Sequence, residues 1–371
     1  MKNRLHIVSF DVPFPPDYGG VIDVFHKLRS LSELGIQIHL HAFTYGRKEN
    51  PELEKYCQEV HYYERNDSWQ AGFSRNPFIV ESRKSEKLLQ RLADWPAPVL
   101  FEGLHSTWPL RKGLPAHIRT LVRAHNVEDR YYSGLFKSEN HPFKKLYYLL
   151  ESIKLKRYER VLQRADHILC ISRPEQAYFK KRFGDKAIYL PPFHGNATVR
   201  QLKGKGYFAL FHGNLQVADN RKAAKYLIEV FEDLEYPLVI AGRDTEGSIQ
   251  RAAGRIKNIR FVTIDEESQL QDLFRRAHIH ILLSFQATGI KLKLINALFQ
   301  GRFCLVNSEM TKGSNLAALC VHANDTGQIR RKVRELMETD FTEEEIEKRM
   351  ELLREFDNRA NALVVSNLLQ E

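Results

Sequence analysis

Leu5-His-Ile-Val-Ser-Phe10, Pro13-Phe-Pro-Pro-Asp-Tyr-Gly-Gly20, the segment 21–35 and Ile36-Gln-Ile-His-Leu-His-Ala42 make up the stretch on which the fold turns. The first apolar run reads as a strand. After the proline- and glycine-rich turn, Val21, Phe25, Leu28, Leu31 and Leu34 recur at the spacing of one helix face. Gly35 then stops that helix, and Ile36, Ile38, Leu40 and Ala42 alternate as a second strand. A strand, a crossover helix and a second strand form a βαβ unit, which places its two strands parallel in one sheet.

Working outward, strand candidates recur at 99–101, 120–123, 167–171 and 187–190, so the first half reads as a βαβ series. Pro191-Pro192-Phe193-His194-Gly195-Asn196 and Lys203-Gly-Lys-Gly206 then read as a linker. A second series follows, with strands at 207–212, 238–241, 259–262, 278–283 and 303–306, and helices at 221–231, 269–277 and 289–299. Thr342-Glu-Glu-Glu345 carries a capping-box pattern, and 356–358 interrupts the helical run before a last apolar helix at 360–369. The class expected is α/β. Two Rossmann-like domains, 1–198 and 199–355, are expected to face each other across a cleft, with segment 356–371 crossing back onto the first.

Composition bounds the function. The chain has 371 residues and 27% charged residues, which suits packed globular domains. No apolar stretch approaches the roughly 20 residues that span a bilayer, and the first residues lack a signal-peptide pattern, so a cytoplasmic protein is expected. Cys57, Cys170, Cys304 and Cys320 are scattered with no C-x-x-C pair; reduced thiols are expected, with Cys170 and Cys304 buried. The formal charge is +10, and between Arg111 and Arg164 thirteen Lys/Arg stand against five Asp/Glu, interleaved with aromatics such as Phe143, Tyr147 and Tyr158. A solvated helix face and an anionic membrane surface both fit this pattern. No nucleic-acid motif accompanies it.

Three segments carry chemistry. Gly19-Gly20 stand at a helix start, where backbone amides can approach an anion; without G-x-G-x-x-G or a Walker lysine, dinucleotide and P-loop binding are disfavoured. Arg123-Ala-His-Asn-Val-Glu-Asp-Arg130 follows a strand, and His125 there can hydrogen-bond a sugar hydroxyl. In Ala287-Thr-Gly-Ile-Lys-Leu-Lys-Leu-Ile-Asn-Ala-Leu298, Lys291 and Lys293 sit at a helix start. Cations there oppose the helix dipole unless an anion such as a diphosphate offsets them. His6, His39, His41, His278 and His280 alternate within strands, but the sequence patterns no carboxylate or cysteine with them, so no metal is expected.

In order and spacing these segments resemble the GT4-like branch of retaining GT-B glycosyltransferases. The resemblance also takes in Ala165-Asp-His-Ile-Leu-Cys-Ile-Ser172, His212-Gly-Asn-Leu with Asn220, and Val239-Ile-Ala-Gly-Arg243. It implies a donor site at Gly19, Gly20, Gly213, Asn214, Arg221, Gly242, Arg243, Thr263, Thr288, Gly289, Ile290 and Asn296, with His125, Lys291 and Lys293 acting on the reaction. Where such enzymes carry two glutamates eight positions apart, this chain has Thr288 and Asn296. The implied substrate is a nucleotide-sugar, transferred to a saccharide or lipid-linked acceptor without a metal cofactor. The acceptor is expected around Asp11, Tyr18 and Glu102. A sugar-nucleotide-binding protein that kept this fold and lost catalysis is the alternative.

Overall fold

The structure, a computed structural model, describes residues 4–285 and 292–370. It divides into two compact units, Met1–Gly195 with Phe356–Glu371, and Asn196–Glu355.

In the first unit seven strands form one sheet: β1 (Arg4–Ser9), β2 (Gln37–Thr44), β3 (Glu59–Glu64), β4 (Val99–Glu102), β5 (Thr120–Ala124), β6 (His167–Cys170) and β7 (Ala187–Tyr189). Their order is β3-β2-β1-β4-β5-β6-β7, and neighbouring strands run parallel. Successive residues of a strand point to opposite faces. Leu5, Ile7 and Leu40 therefore pack with Phe25, Leu28 and Leu31 of the first helix, Gly19–Glu33. Val8, Phe43, Phe101 and Val122 pack on the other face with Leu155 and Tyr158. Gly35 ends the first helix at φ +78°, a conformation that glycine adopts without a steric penalty. The last helix, Asn358–Leu368, sets Ala362, Val365 and Leu368 into the core of this unit.

The second unit holds β8 (Phe208–His212), β9 (Leu238–Ala241), β10 (Ile259–Val262), β11 (Ala277–Leu282), β12 (Phe303–Val306) and β13 (Val321–His322). They too are parallel, in the order β10-β9-β8-β11-β12-β13. Thr342 and Glu345 form the expected capping box on helix Glu343–Leu352. All four cysteines are free thiols, and Cys170 and Cys304 are buried. Burial pushes their thiols up, to about 12 and about 11 respectively, so neither is a nucleophile at neutral pH.

In each sheet the chain begins in the middle and then builds out to both sides. The strand order therefore reverses beside β1 in one unit and beside β8 in the other, and parallel sheets bind ligands at the strand ends next to such a reversal.

Candidate functional sites at the strand ends

In the first unit, four charged side chains and a histidine meet at the ends of β4 and β5 and on the first helix. Asp23 and Lys27 lie one helical turn apart and are fully buried, as are Glu102 and Arg123. Lys27 Nζ donates to Asp23 Oδ2 at 2.9 Å and to the two Glu102 oxygens at 2.7 and 2.9 Å. Arg123 forks onto Asp23 with bonds of 3.0 and 2.9 Å and donates to the carbonyls of Leu190 and Pro191. The Phe193 amide donates to Asp23 Oδ1 at 2.8 Å. Burial alone would raise the Asp23 carboxyl; the Arg123, Lys27 and His125 charges more than offset it and hold it well below the ordinary carboxylate range. Glu102 is lowered in the same way, burial being outweighed by Lys27 and by the hydrogen bond with His125.

His125 is fixed by this cluster. Its Nε2 lies 3.1 Å from Glu102 Oε2, and its ring meets Phe10 edge-on at 5.5 Å. Glu102 therefore corrects the expectation that placed it at the acceptor: with 0% exposure and both oxygens engaged, it orients Lys27 and His125 and has no surface for a ligand. Tyr18 is exposed and donates to Asp11 Oδ2 at 2.7 Å, while Asp11 Oδ1 accepts from the Val12 amide. Gly19 opens the helix, and a Cβ on Gly20 would come within 2.7 Å of the Phe10 ring, so close packing there already requires glycine. Asp23 and Lys27, which with Arg123 hold His125 and Glu102 in place, were missed by sequence reasoning. The available signal was two charges at i, i+4 inside the apolar stripe of the first helix.

In the second unit, Gly213 and Gly242 follow β8 and β9, and a Cβ on Gly242 would collide with the Gly213 carbonyl oxygen. The two strand ends thus come together only because that residue is glycine. Asn214 Oδ1 accepts from the Gln216 amide and its carbonyl from Asn220 Nδ2, both at 3.0 Å, shaping the entry to helix Ala218–Phe231. Lys293, the second residue of helix Leu292–Gln300, donates to Asn220 Oδ1 at 3.1 Å and to the Leu283 carbonyl at 3.2 Å. Its ammonium thus lies beside the ends of β8 and β11. Burial first, and the Lys293 charge second, push the neighbouring His212 down to about 3, so that ring is neutral. Asp219, also missed in the sequence, accepts from Ser284 Oγ at 3.3 Å and from the Phe285 amide at 3.1 Å and so holds the exit of β11.

Arg221 pairs with Glu246, Arg243 donates to the Ile264 carbonyl at 3.3 Å, and Thr263 is exposed just past β10. Asn296 Oδ1 accepts from Asn196 Nδ2 at 2.8 Å. Thr288, Gly289, Ile290 and Lys291 lie outside the described residues.

Among the described residues, two groups place three metal-type ligand atoms near one another: Asp23 with Glu102 and His125, and His39 with Glu59 and His61. In the first group Lys27 and Arg123 already neutralise the carboxylates.

No known protein-family profile matches the chain. It is 28% identical over 350 residues, 87% of this chain and 88% of the other, to an uncharacterized 44.6 kDa protein in the cps region of Klebsiella pneumoniae. Among solved structures, S. aureus TarM in complex with fondaparinux, alpha-GlcNAc-glycerol and UDP matches with a TM-score of 0.67 at 10% identity, covering 100% of each chain. The lipopolysaccharide outer core galactosyltransferase WaaB matches with a TM-score of 0.62 at 14% identity, covering 98% of this chain and 99% of that one. Anabaena HepE in complex with UDP and glucose matches with a TM-score of 0.61 at 9% identity, covering 99% and 97%. The chain has the two Rossmann-like units of the GT-B glycosyltransferase fold.

Proposed function

We propose that this protein transfers a sugar from a nucleotide-sugar to a saccharide or lipid-linked acceptor, with retention at the sugar carbon and with lysine and backbone amides, rather than a metal, neutralising the leaving group. The observation that carries the reading is Lys293 at the ends of β8 and β11, beside the glycine turn at Gly213. As the bond to the sugar breaks, negative charge accumulates on the departing diphosphate, and preorganised cations and amides lower the barrier because they need no reorganisation at that moment. The reading assigns Gly213, Asn214, Gly242, Arg243 and Thr263 to the nucleotide side, His125 to the transferred sugar, and Tyr18 with Asp11 to the acceptor. UDP, bound by TarM and HepE, is the first diphosphate to try.

Thr288 and Asn296, standing where the resembled enzymes carry glutamates, favour the second reading, a protein that binds sugar nucleotides without turning them over. The assay that separates the two supplies nucleotide-sugars with an acceptor extract and measures free nucleoside diphosphate. Release that requires the acceptor is expected; tight binding without release would favour the second reading, and failure to bind any nucleoside diphosphate would overturn both.

We further propose that the first unit docks on an anionic bilayer. Helix Pro142–Tyr158 exposes Phe143, Leu146, Leu150 and Ile153, and alongside it Trp69 and Phe73 are 74% and 81% exposed. Lys154 Nζ joins this helix to the Gly72 carbonyl at 2.7 Å. The same helix carries Lys144, Lys145, Lys154, Lys156 and Arg157, and its one carboxylate, Glu151, is buried and accepts from Lys154 and the Phe78 amide. Apolar side chains flanked by lysines suit insertion at the headgroup level. Among the described residues no helix is long and apolar enough to cross a membrane. Each lysine near an anionic surface contributes about 1 kcal/mol. Replacing Lys144, Lys145 and Lys156 with glutamine is therefore expected to weaken binding to phosphatidylserine-containing vesicles on the order of 100-fold, by co-sedimentation. Equal binding of both proteins to neutral and anionic vesicles would refute the assignment.

A further inference from the structure

Strands β1, β2 and β3 lie side by side, with His6 opposite His39, His39 opposite Glu59, and His41 opposite His61. Residues paired in register, and residues two apart along a strand, share one face of a sheet. One face near the sheet edge therefore collects four imidazoles and one carboxylate. Two of the imidazoles are committed to the fold. His6 bonds His41 at 2.9 Å and the Trp95 carbonyl at 2.7 Å, and the second nitrogen of His41 meets the Tyr63 hydroxyl at 2.8 Å.

The other two turn toward Glu59. His61 Nε2 lies 3.0 Å and His39 Nδ1 3.8 Å from the same oxygen, Glu59 Oε2. The Trp95 ring stacks flat on His39 at 3.5 Å and fixes its plane, while His39 Nε2 is buried with no hydrogen-bond partner. Glu59 is half exposed, so the group opens to solvent.

We propose that His39 Nδ1, Glu59 Oε2 and His61 Nε2 bind a divalent transition-metal ion of the zinc class, with water completing the coordination. Zinc at about 2.0–2.1 Å from each of four tetrahedral ligands sets those ligands about 3.3 Å apart. The two measured separations bracket that spacing, and the three ligand atoms lie within 4.8 Å of one another. Two nitrogens and one oxygen suit zinc, nickel or copper and do not suit magnesium or calcium, which take oxygen. The simpler alternative is a hydrogen-bonded cluster in which the His61 ring donates an N–H to Glu59 Oε2 and no ion is bound; the titration below separates the two. The site is independent of the transfer reaction and stands or falls apart from it.

The test is calorimetric titration of the untagged full-length chain with zinc after chelator treatment. One saturable ion per chain is expected, with binding at least about ten-fold weaker in Glu59→Gln and in His61→Ala, since even residues that only support ligands cost that much. His117→Ala, at an exposed histidine elsewhere, is expected to bind as the wild type does. Cobalt substituted for zinc gives a second readout: an intense visible band from a four-coordinate ion in the wild type, lost in Glu59→Gln. Tryptophan fluorescence checks that the variants remain folded. No saturable binding to the wild type, or binding that Glu59→Gln leaves unchanged, overturns the proposal.

Discussion

Replacing Asp23 with asparagine is expected to destabilise the first unit by about 3–5 kcal/mol, the range found when one partner of a buried ion pair is removed. The size follows from what remains. Arg123 and Lys27 are fully buried, and Asp23 supplies the carboxylate to Arg123 and one of the two that hold Lys27. Asparagine keeps the shape but removes the charge, leaving a guanidinium out of water against neutral oxygens only. The measurement is selective, because all three tryptophans, Trp69, Trp95 and Trp108, belong to this unit, so the urea transition of tryptophan fluorescence reports it alone.

The sign of the pH dependence follows from the same contacts. The Asp23 carboxyl is held below its ordinary value of 3.8, so its stabilisation is complete above that pH and is lost as pH falls toward the folded value. In the wild type the fluorescence-monitored stability should therefore decline below about pH 4, and the variant should lack this component of the decline. A loss under about 1 kcal/mol would mean that water reaches Arg123, and that the cluster does not fix His125 in the way described.

What the sequence disclosed and what it hid divide along physical lines. The buried central strands were legible because a parallel strand covered on both faces is a plain apolar run, as at 208–212 and 303–306. Strand β3 was not legible: Glu59–Glu64 is an edge strand of half-exposed residues with only Tyr63 buried, so it shows no apolar face. Strand β13 is two residues long, too short to carry a pattern. That same edge strand brings Glu59 and His61 beside His39, which is why a histidine cluster without a carboxylate was read from the sequence. The strand-end positions Gly213, Gly242 and His125 were legible because they follow apolar runs directly. The partners that fix them were not. Arg123 meets Asp23 across 100 residues and Lys27 meets Glu102 across 75, and nothing in either local pattern records such a pairing. Asn296 shows the same limit, since the Asn196 that donates to its Oδ1 lies 100 residues away.

Replacing Lys293 with alanine is expected to weaken UDP binding by about 10- to 150-fold, which corresponds to losing a hydrogen bond to a charged group worth about 1.5–3 kcal/mol. If the protein is a transferase, turnover should fall further than binding, by about 10²–10³-fold, because charge on the diphosphate is larger in the transition state than in the bound donor. The two losses are measured separately, the first by thermal shift or calorimetry with UDP, the second by diphosphate release at saturating donor. Lys225→Ala, at a lysine on the same helix as Asn220 but turned to the protein surface, should leave both unchanged. Lys293→Arg should recover part of the binding, because arginine keeps the charge and its fork suits a phosphate, yet less of the turnover, because its planar head does not reproduce the contacts of Nζ with Asn220 and Leu283. Equal loss in binding and turnover would mean that Lys293 holds donor and transition state alike and contributes affinity only. A variant that binds UDP as the wild type does would remove the observation on which the transferase reading rests and leave the fold without an assigned donor seat.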